Sequence, residues 1–552
     1  MSMKWQVREL IDVVKKYRKT IFFVVVVVII ANIFNILAPY LLKVIIDEFA
    51  KNMVISSVIS ILICYVLLRI AIIVIQYVKD KTTNKLSNDM LEDLRNKIFD
   101  KLIVMNMKTF TKFQSSDLYT RLTVDAENTK TLFSDNIPII LNDVLYILFI
   151  MIAMMIIDIK LSIIGIASIL LIAIYSFFLV RKLQGLTKKI TIKRDLENQQ
   201  YSENYNKSKL TRFFSLEKKN IHKVNTLLKE ELKERYRYIN YNSFLWPASV
   251  FLEAVGIYAV IYYVLNIETA ISLGTVYIFL YYIKQAFTPL KEIFDQLEEI
   301  QTAQVSLERI NTVLLVKEKE DIQKGQEIQK LEGNIEFKNV TFSYGRKEIL
   351  QEVSFNIRKG EKVAFIGKTG AGKTTITNIL MRLYPIKSGE VILDGHNMKD
   401  ISIESIRNNI TYISQTAYVF KDTIRRNILL EKQDIPDEEI LKIMEDIGAM
   451  PLLDRLENGL DEMVTVNKLS KGELQIIAFI RAIIHKANIY IFDEPTSNID
   501  LRTEKMIQSI IDKISKTSTV IIIAHRLATI QNVDKILKVE NGKVMDYTTK
   551  KL

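Results

Sequence analysis

Residues 362–383 read KVAFIGKTGAGKTTITNILMRL. A short apolar stretch of strand character, KVAFI, runs into Gly367-Lys368-Thr369-Gly370-Ala371-Gly372-Lys373-Thr374, and a helical pattern beginning at Thr374 (TTITNILMRLY) follows. This is G-x-x-x-x-G-K-[ST] between a strand and a helix, the context that a phosphate-binding loop requires. The glycines let backbone N–H groups wrap phosphate oxygens, which then sit at a helix N-terminus. Lys373 is placed to reach the β- and γ-phosphates of a nucleotide, and the Thr374 hydroxyl to ligate Mg²⁺. Residues 334–552 accordingly read as an α/β nucleotide-binding domain of alternating short strands and helices.

Two more strand ends carry chemistry. IYIFDE (489–494) is an apolar strand closing on two acids, about 120 residues after the loop. Asp493 suits the Mg²⁺ shell, and Glu494 suits a general base for an attacking water. TVIIIA (519–524) ends at His525, which reads as a γ-phosphate contact.

The first half has a different texture. The 552 residues are 49% hydrophobic and 25% charged, with a mean hydropathy of +0.14, which points to segregated apolar and charged stretches. A membrane span needs about 20 mostly apolar residues. Six stretches qualify: 21–42 and 161–180 without charge, 54–78 with only Arg69, 137–157 with only Asp143, 243–265 with only Glu253, and 270–290 interrupted at Lys284. The expected architecture is therefore an all-α six-span membrane domain over 1–316, a charged hinge over 317–333, and the nucleotide domain. The first stretch is too long for a signal peptide core and lacks a following cleavage site, so it is expected to remain as an anchor.

Lys and Arg crowd the N-terminal stretch and the long loops 79–136 and 181–242, whereas 266–270 has none. By the positive-inside bias these loops and both termini are cytoplasmic. Topology thus accounts for most of the net charge of +12, and no nucleic-acid partner is needed. Loop 79–136 carries apolar residues at helical spacing (Leu86, Met90, Leu94, Ile98, Leu102), and the first and fourth spans are expected to continue as helices beyond the bilayer. The single cysteine, Cys64, excludes an internal disulfide, and four scattered histidines make no metal tract.

Leu469-Ser470-Lys471-Gly472-Glu473, just before the 489–494 strand, resembles the signature of ABC transporters. Other elements of that family match in order. Tyr344 resembles the aromatic that stacks on adenine, Gln415 (in YISQ) the Q-loop glutamine that assists catalysis and the metal, Ser497–Asp500 the D-loop, and His525 the switch histidine. The first half resembles an exporter-type membrane domain. The resemblance implies an ATP-driven exporter with ATP and Mg²⁺ at each site, working as a dimer in which one chain's P-loop faces Ser470 and Gly472 of the other. It also implies that Asp500 lies near the nucleotide. FQSSDLYTRLTVDAENTKTLF (113–133) and NYNKSKLTRFFSLEKKN (204–220) look like the segments around the two coupling helices. Two features depart from the family: Lys471 and Glu473 replace the commonest Gly and Gln, and the loop MVTVNK (463–468) is shortened and lacks an acid.

Lys373, Glu494 and His525 are all present, so a homodimer is expected, with a heterodimer as the alternative. A non-transport ABC ATPase acting on nucleic acid or ribosomes is opposed by the six spans. An N-terminal cysteine-peptidase domain is not expected, since about 20 residues precede the first span. Drugs, lipids and peptides such as lanthipeptides are all open as cargo. Arg69 and Glu253 lie nine and ten residues from the cytoplasmic ends of their spans. At 1.5 Å per residue this puts both about 14–15 Å deep. The resemblance to exporters implies that the second and fifth spans can meet across the dimer, so an Arg69–Glu253 pair there is expected, with each charge facing water separately as the alternative.

Overall fold

The computed structural model describes residues 15–50, 55–113, 115–266, 271–316, 319–345, 347–430, 435–495, 501–524 and 532–548. The chain divides into two compact units, Met1–Leu102 with Gln114–Val316, and Ile103–Phe113 with Lys317–Leu552.

The first unit is helical. Its long helices are α1 (Arg18–Ala50), α2 (Ile55–Ile103), α3 (Ser115–Ile157), α4 (Ile159–Asn206), α5 (Glu217–Asn266) and α6 (Leu273–Leu314). Among the described residues five helices, α1 to α5, are long and apolar enough to cross a membrane. The expected sixth span forms α6, but its tyrosines, Lys284 and Gln285 lower its apolarity. Instead α6 supplies much of the unit's core, with Ile278, Phe279, Tyr282, Ile283 and Ala286 almost fully buried. The long extension beyond the apolar stretch belongs to α2 rather than α1: α1 ends at Ala50, while α2 runs without Gly or Pro to Ile103. The extension of α4, to Asn206, is as expected.

Close helix approach explains two glycines. A Cβ on Gly165 of α4 would come within 2.1 Å of Met154 Cε, and one on Gly256 of α5 within 2.6 Å of Ser168 Oγ. Small residues at such crossings let helices pack without a hydrophobic drive in lipid. The tight connection before α4 is capped by Asp158, whose Oδ1 accepts from the Lys160 and Leu161 N–H groups at 2.9 Å.

The second unit contains two main sheets. Strands β1 (Ile335–Ser343), β2 (Glu348–Ile357), β4 (Ser388–Leu393) and β5 (His396–Asn397) form an antiparallel sheet in the order β2-β1-β4-β5. Strands β3 (Lys362–Ile366), β6 (Ile410–Ile413), β9 (Ile489–Asp493), β10 (Thr519–Ile523), β11 (Lys535–Glu540) and β12 (Lys543–Asp546) form a six-stranded sheet, β12-β11-β3-β10-β9-β6. All its pairings are parallel except β11 with β12. A small ribbon pairs β7 (Asp422–Thr423) with β8 (Met463–Val464). Strands β9 and β10 are buried throughout, as strands covered on both faces must be, which is why they read as unbroken apolar runs.

Candidate functional site

Open parallel sheets bind ligands beyond the carboxyl ends of their strands. Three of the sequence's motifs sit there. The P-loop leaves β3 and enters α7 (Lys373–Leu380), Glu494 follows β9, and Gln415 follows β6.

The P-loop backbone needs its glycines. Gly370 and Gly372 have φ of +81° and +111°, a region other residues rarely adopt. A Cβ on Gly367 would lie 2.3 Å from the Val539 carbonyl oxygen, so the loop is drawn against β11 too closely for any side chain. Lys368, Thr369, Gly370 and Thr374 are exposed, Gly367 and Ala371 half-buried, and Gly372 and Thr375 buried. Lys373 is 5% exposed. Its Nζ donates to the Gly367 carbonyl at 2.7 Å and the Lys368 carbonyl at 3.1 Å, which folds the ammonium back over the loop. Burial lowers the Lys373 pKa, an effect that the nearby Glu494 and Asp493 carboxylates oppose. The loop's amides and an ammonium with adjacent carboxylates are the donor set that a polyphosphate with a divalent ion requires.

The acids are held by neighbours on and just after β6. Gln415 Nε2 donates to Glu494 Oε2 at 2.6 Å, and Tyr412 OH to Asp493 Oδ2 at 2.9 Å. Burial, with Asp493 beside it, pushes the Tyr412 hydroxyl's pKa well up, so it stays a donor. Glu494 adopts φ +48°, and its N–H donates to the Ile523 carbonyl at 3.0 Å. A left-handed non-glycine residue costs about 1–3 kcal/mol and persists only where its surroundings enforce it. Gln415 is fixed in turn, since Gln475 Nε2 donates to its carbonyl at 3.1 Å. The sequence does not single out Tyr412 or Gln475, because their roles depend on which strand and helix lie alongside.

Tyr344 is 43% exposed, and its ring packs edge-on against Tyr384 and Phe342 at 4.9 and 4.8 Å. Asn378 Nδ2 of α7 donates to its hydroxyl at 2.9 Å, which ties the aromatic to the P-loop helix.

The signature residues stand at another helix start. Ser470 is the N-cap of α8 (Lys471–His485): its hydroxyl accepts from the Glu473 N–H at 3.3 Å, and Glu473 Oε2 accepts from the Ser470 N–H at 2.7 Å. Gly472 lies in that first turn. The shortened loop is stapled by a Lys468–Glu462 ion pair, and Met463–Val464 within it forms β8. Asp500, the rest of the D-loop, and His525 lie outside the described residues.

A short helix, Met107–Phe110, belongs with the nucleotide-binding unit, where Met105 bridges Lys319 and Glu320 N–H donates to the Val104 carbonyl at 2.8 Å. The 113–133 segment begins only after that helix and lies mainly in α3. Within 204–220, Ser208–Phe213 forms a six-residue helix. No ion pair joins Arg69 and Glu253 within the chain among the described residues. Arg69 is exposed and Glu253 half-buried.

Comparison with known proteins agrees with both halves. Residues 21–290 match the family described as ABC transporter transmembrane region, and residues 350–497 the family described as ABC transporter. A Streptococcus pneumoniae protein named as the ABC transporter ATP-binding protein exp8 is 30% identical over 99% of this chain and 94% of its own length. A Bacillus subtilis protein named as the multidrug resistance ABC transporter ATP-binding/permease protein YheH is 29% identical over 83% of this chain and 69% of its own. A Staphylococcus aureus protein named for multidrug export is 29% identical over 98% of this chain and 96% of its own.

Proposed function

This chain belongs to the ABC transporter family, and on that premise we propose that two copies of it form an exporter for an amphipathic or hydrophobic compound. It is an ATP-hydrolysing, multi-pass membrane transporter that dimerises with another half-transporter, since it has one membrane half and one nucleotide half. The names of the Bacillus and Staphylococcus relatives, both multidrug proteins, support a drug-like cargo. The Lys- and Arg-rich long loops support cytoplasmic termini.

The observation that carries the reading is the Gln415–Glu494 hydrogen bond at the carboxyl edge of the parallel sheet. In the proposed mechanism the P-loop amides and Lys373 hold the phosphates, with Tyr344 against the adenine. Glu494 takes a proton from water as the water oxygen attacks the γ-phosphorus and the bond from that phosphorus to the β–γ bridging oxygen breaks, releasing ADP and inorganic phosphate. Gln415 orients the Glu494 carboxylate and His525 contacts the γ-phosphate. Ser470 and Gly472 of one chain complete the other chain's site, with Asp500 beside it. Thr374, Gln415 and Asp493 would hold Mg²⁺, which would neutralise charge on the phosphate oxygens. Product release and separation of the two nucleotide domains then reset the membrane helices.

The test is transport by the purified protein in liposomes, with a panel of amphipathic dyes. ATP-dependent dye movement that Lys373→Ala abolishes is expected. Steady ATP hydrolysis with no dye, lipid or peptide moved would refute export. Activity only on co-expression with a second half-transporter would overturn the homodimer.

A further inference from the structure

The membrane unit holds a polar cavity of about 450 Å³ that nucleotide chemistry does not use. It opens where α2 passes beyond its apolar stretch and α3 enters its own, with Glu292 of α6 on one wall. Asp80, Asp135, Asp143 and Glu292 line it, against one cation, Lys79. Lys79 Nζ lies 3.4 Å from Asp80 Oδ1. Among the described residues no other Lys or Arg nitrogen comes within ion-pair distance of Asp135, Asp143 or Glu292. Apart from Pro138 and Ile139, the remaining wall is amide and hydroxyl.

Asp143 is the second observation. It is 3% exposed. Its Oδ1 accepts from Asn142 Nδ2 at 3.0 Å, but its buried Oδ2 has no hydrogen-bond partner. A buried carboxylate oxygen without a partner is costly and calls for a donor. Among the described residues no three acidic, His or Cys side chains are arranged to hold a metal ion. The charges are spread around a space large enough for a small organic molecule. A compact ion does not fit that pattern, and the few apolar walls do not fit a greasy one.

We propose that this cavity binds a small hydrophilic polyamine, with one ammonium on Asp143 and Glu292 and another toward Asp135 and Asp80. Each ammonium offers three donors and no acceptor, which suits a wall rich in carboxylate and amide oxygens. The site is a ligand site of the membrane unit and does not depend on what the transporter exports.

The experiment is calorimetric titration of the full-length, nucleotide-free protein in phosphatidylcholine nanodiscs, with spermidine as probe and ethylamine as its single-charge control. Leaving out nucleotide keeps ATP from competing for the polyamine. One saturable spermidine site per chain is expected, weakened roughly tenfold or more by Asp143→Asn or Glu292→Gln, the usual effect of losing a charge-assisted hydrogen bond. Asp80 and Asp135 are exposed, so Asp80→Asn and Asp135→Asn leave the fold intact and should each weaken spermidine several-fold. Ethylamine should bind at least tenfold more weakly. Absence of saturable spermidine binding, binding indifferent to all four substitutions, or ethylamine binding as tight as spermidine would overturn the proposal.

Discussion

Replacing Glu494 by Gln removes one proton acceptor while changing almost nothing else. The two side chains have the same shape, and the backbone bond from residue 494 to the Ile523 carbonyl is untouched. Gln415 Nε2, now 2.6 Å from a carboxylate oxygen, can still donate to the amide oxygen. A charge-assisted bond becomes a neutral one, a change of about 1 kcal/mol. Loss of the base is larger: general-base catalysis contributes roughly 10²–10⁴ in rate, or about 2.7–5.4 kcal/mol of barrier. Binding should move the other way, if at all. Glu494 is one of two carboxylates whose field reaches Lys373, and removing its negative charge lessens repulsion toward a polyphosphate. The expected outcome is a turnover falling by 10²–10⁴ with ATP affinity unchanged or tighter. It is read by phosphate release and equilibrium nucleotide binding on the purified dimer. Turnover within about fivefold of the parent would refute the assignment of Glu494 as base, since a merely structural carboxylate would cost no more than its hydrogen bond, about 1 kcal/mol. Affinity falling in step with turnover would equally refute it, by showing that Glu494 serves to build the binding site.

Gly367→Ala should lower stability by about 1–3 kcal/mol, as overpacking does, because its Cβ would meet the Val539 carbonyl oxygen at 2.3 Å; thermal unfolding of the full chain and loss of ATP binding check this. Mixing Ser470→Arg chains with Lys373→Ala chains should restore one intact composite site per heterodimer, read as nucleotide occupancy above either single variant; no gain, with heterodimers present, would count against completion of the site across the dimer. Arg69→Ala or Glu253→Ala alone should impair transport or assembly, and the swap Arg69→Glu with Glu253→Arg should restore part of it, whereas additive damage in the swap would leave the two charges independent. None of the residues in the most apolar stretch of α2 is buried within the chain, so Arg69 is free to face a second copy.

The P-loop and the two acids were legible because each stands at a fixed place in a local pattern. An apolar strand ends, and the reactive residue follows. Tyr412 and Gln475 were not, because their roles come from which strand and which helix lie alongside. Tyr412 lies opposite Ile491 and Ile413 opposite Phe492 in the β6–β9 pairing, and nothing within either segment announces that these strands are neighbours. The membrane half shows the same division. Apolar length located all the long helices, but it could not say that α6 spends its apolar side chains on protein rather than lipid. The helical spacing from Leu86 to Leu102 did mark an extended helix, and it belongs to α2, whose sequence from 55 to 103 has no Gly or Pro to stop it.

Glu473 shows how a departure from a family pattern can be read twice. Set against the commonest signature it is a charge where the usual residue is neutral, placed where the other chain's γ-phosphate is expected. Read locally, Ser470-Lys471-Gly472-Glu473 is S-x-x-E, the pattern in which a serine and a glutamate cap each other's backbone N–H groups. The structure contains both bonds, and Arg455 adds an ion pair to Glu473 at 2.5 Å. Burial alone would push the Glu473 pKa up, but the Ser470 N–H and hydroxyl and then Arg455 outweigh it, so the carboxyl is held below its usual range. Its charge is therefore directed back into the helix start and onto a guanidinium. A glutamine could make the same bond to the Ser470 N–H, but only a carboxylate also pairs with Arg455. In this chain, then, the substitution trades a neutral cap for a charged one that brings its own counter-ion, and Ser470 stays fixed at the end of α8 where the resemblance needs it.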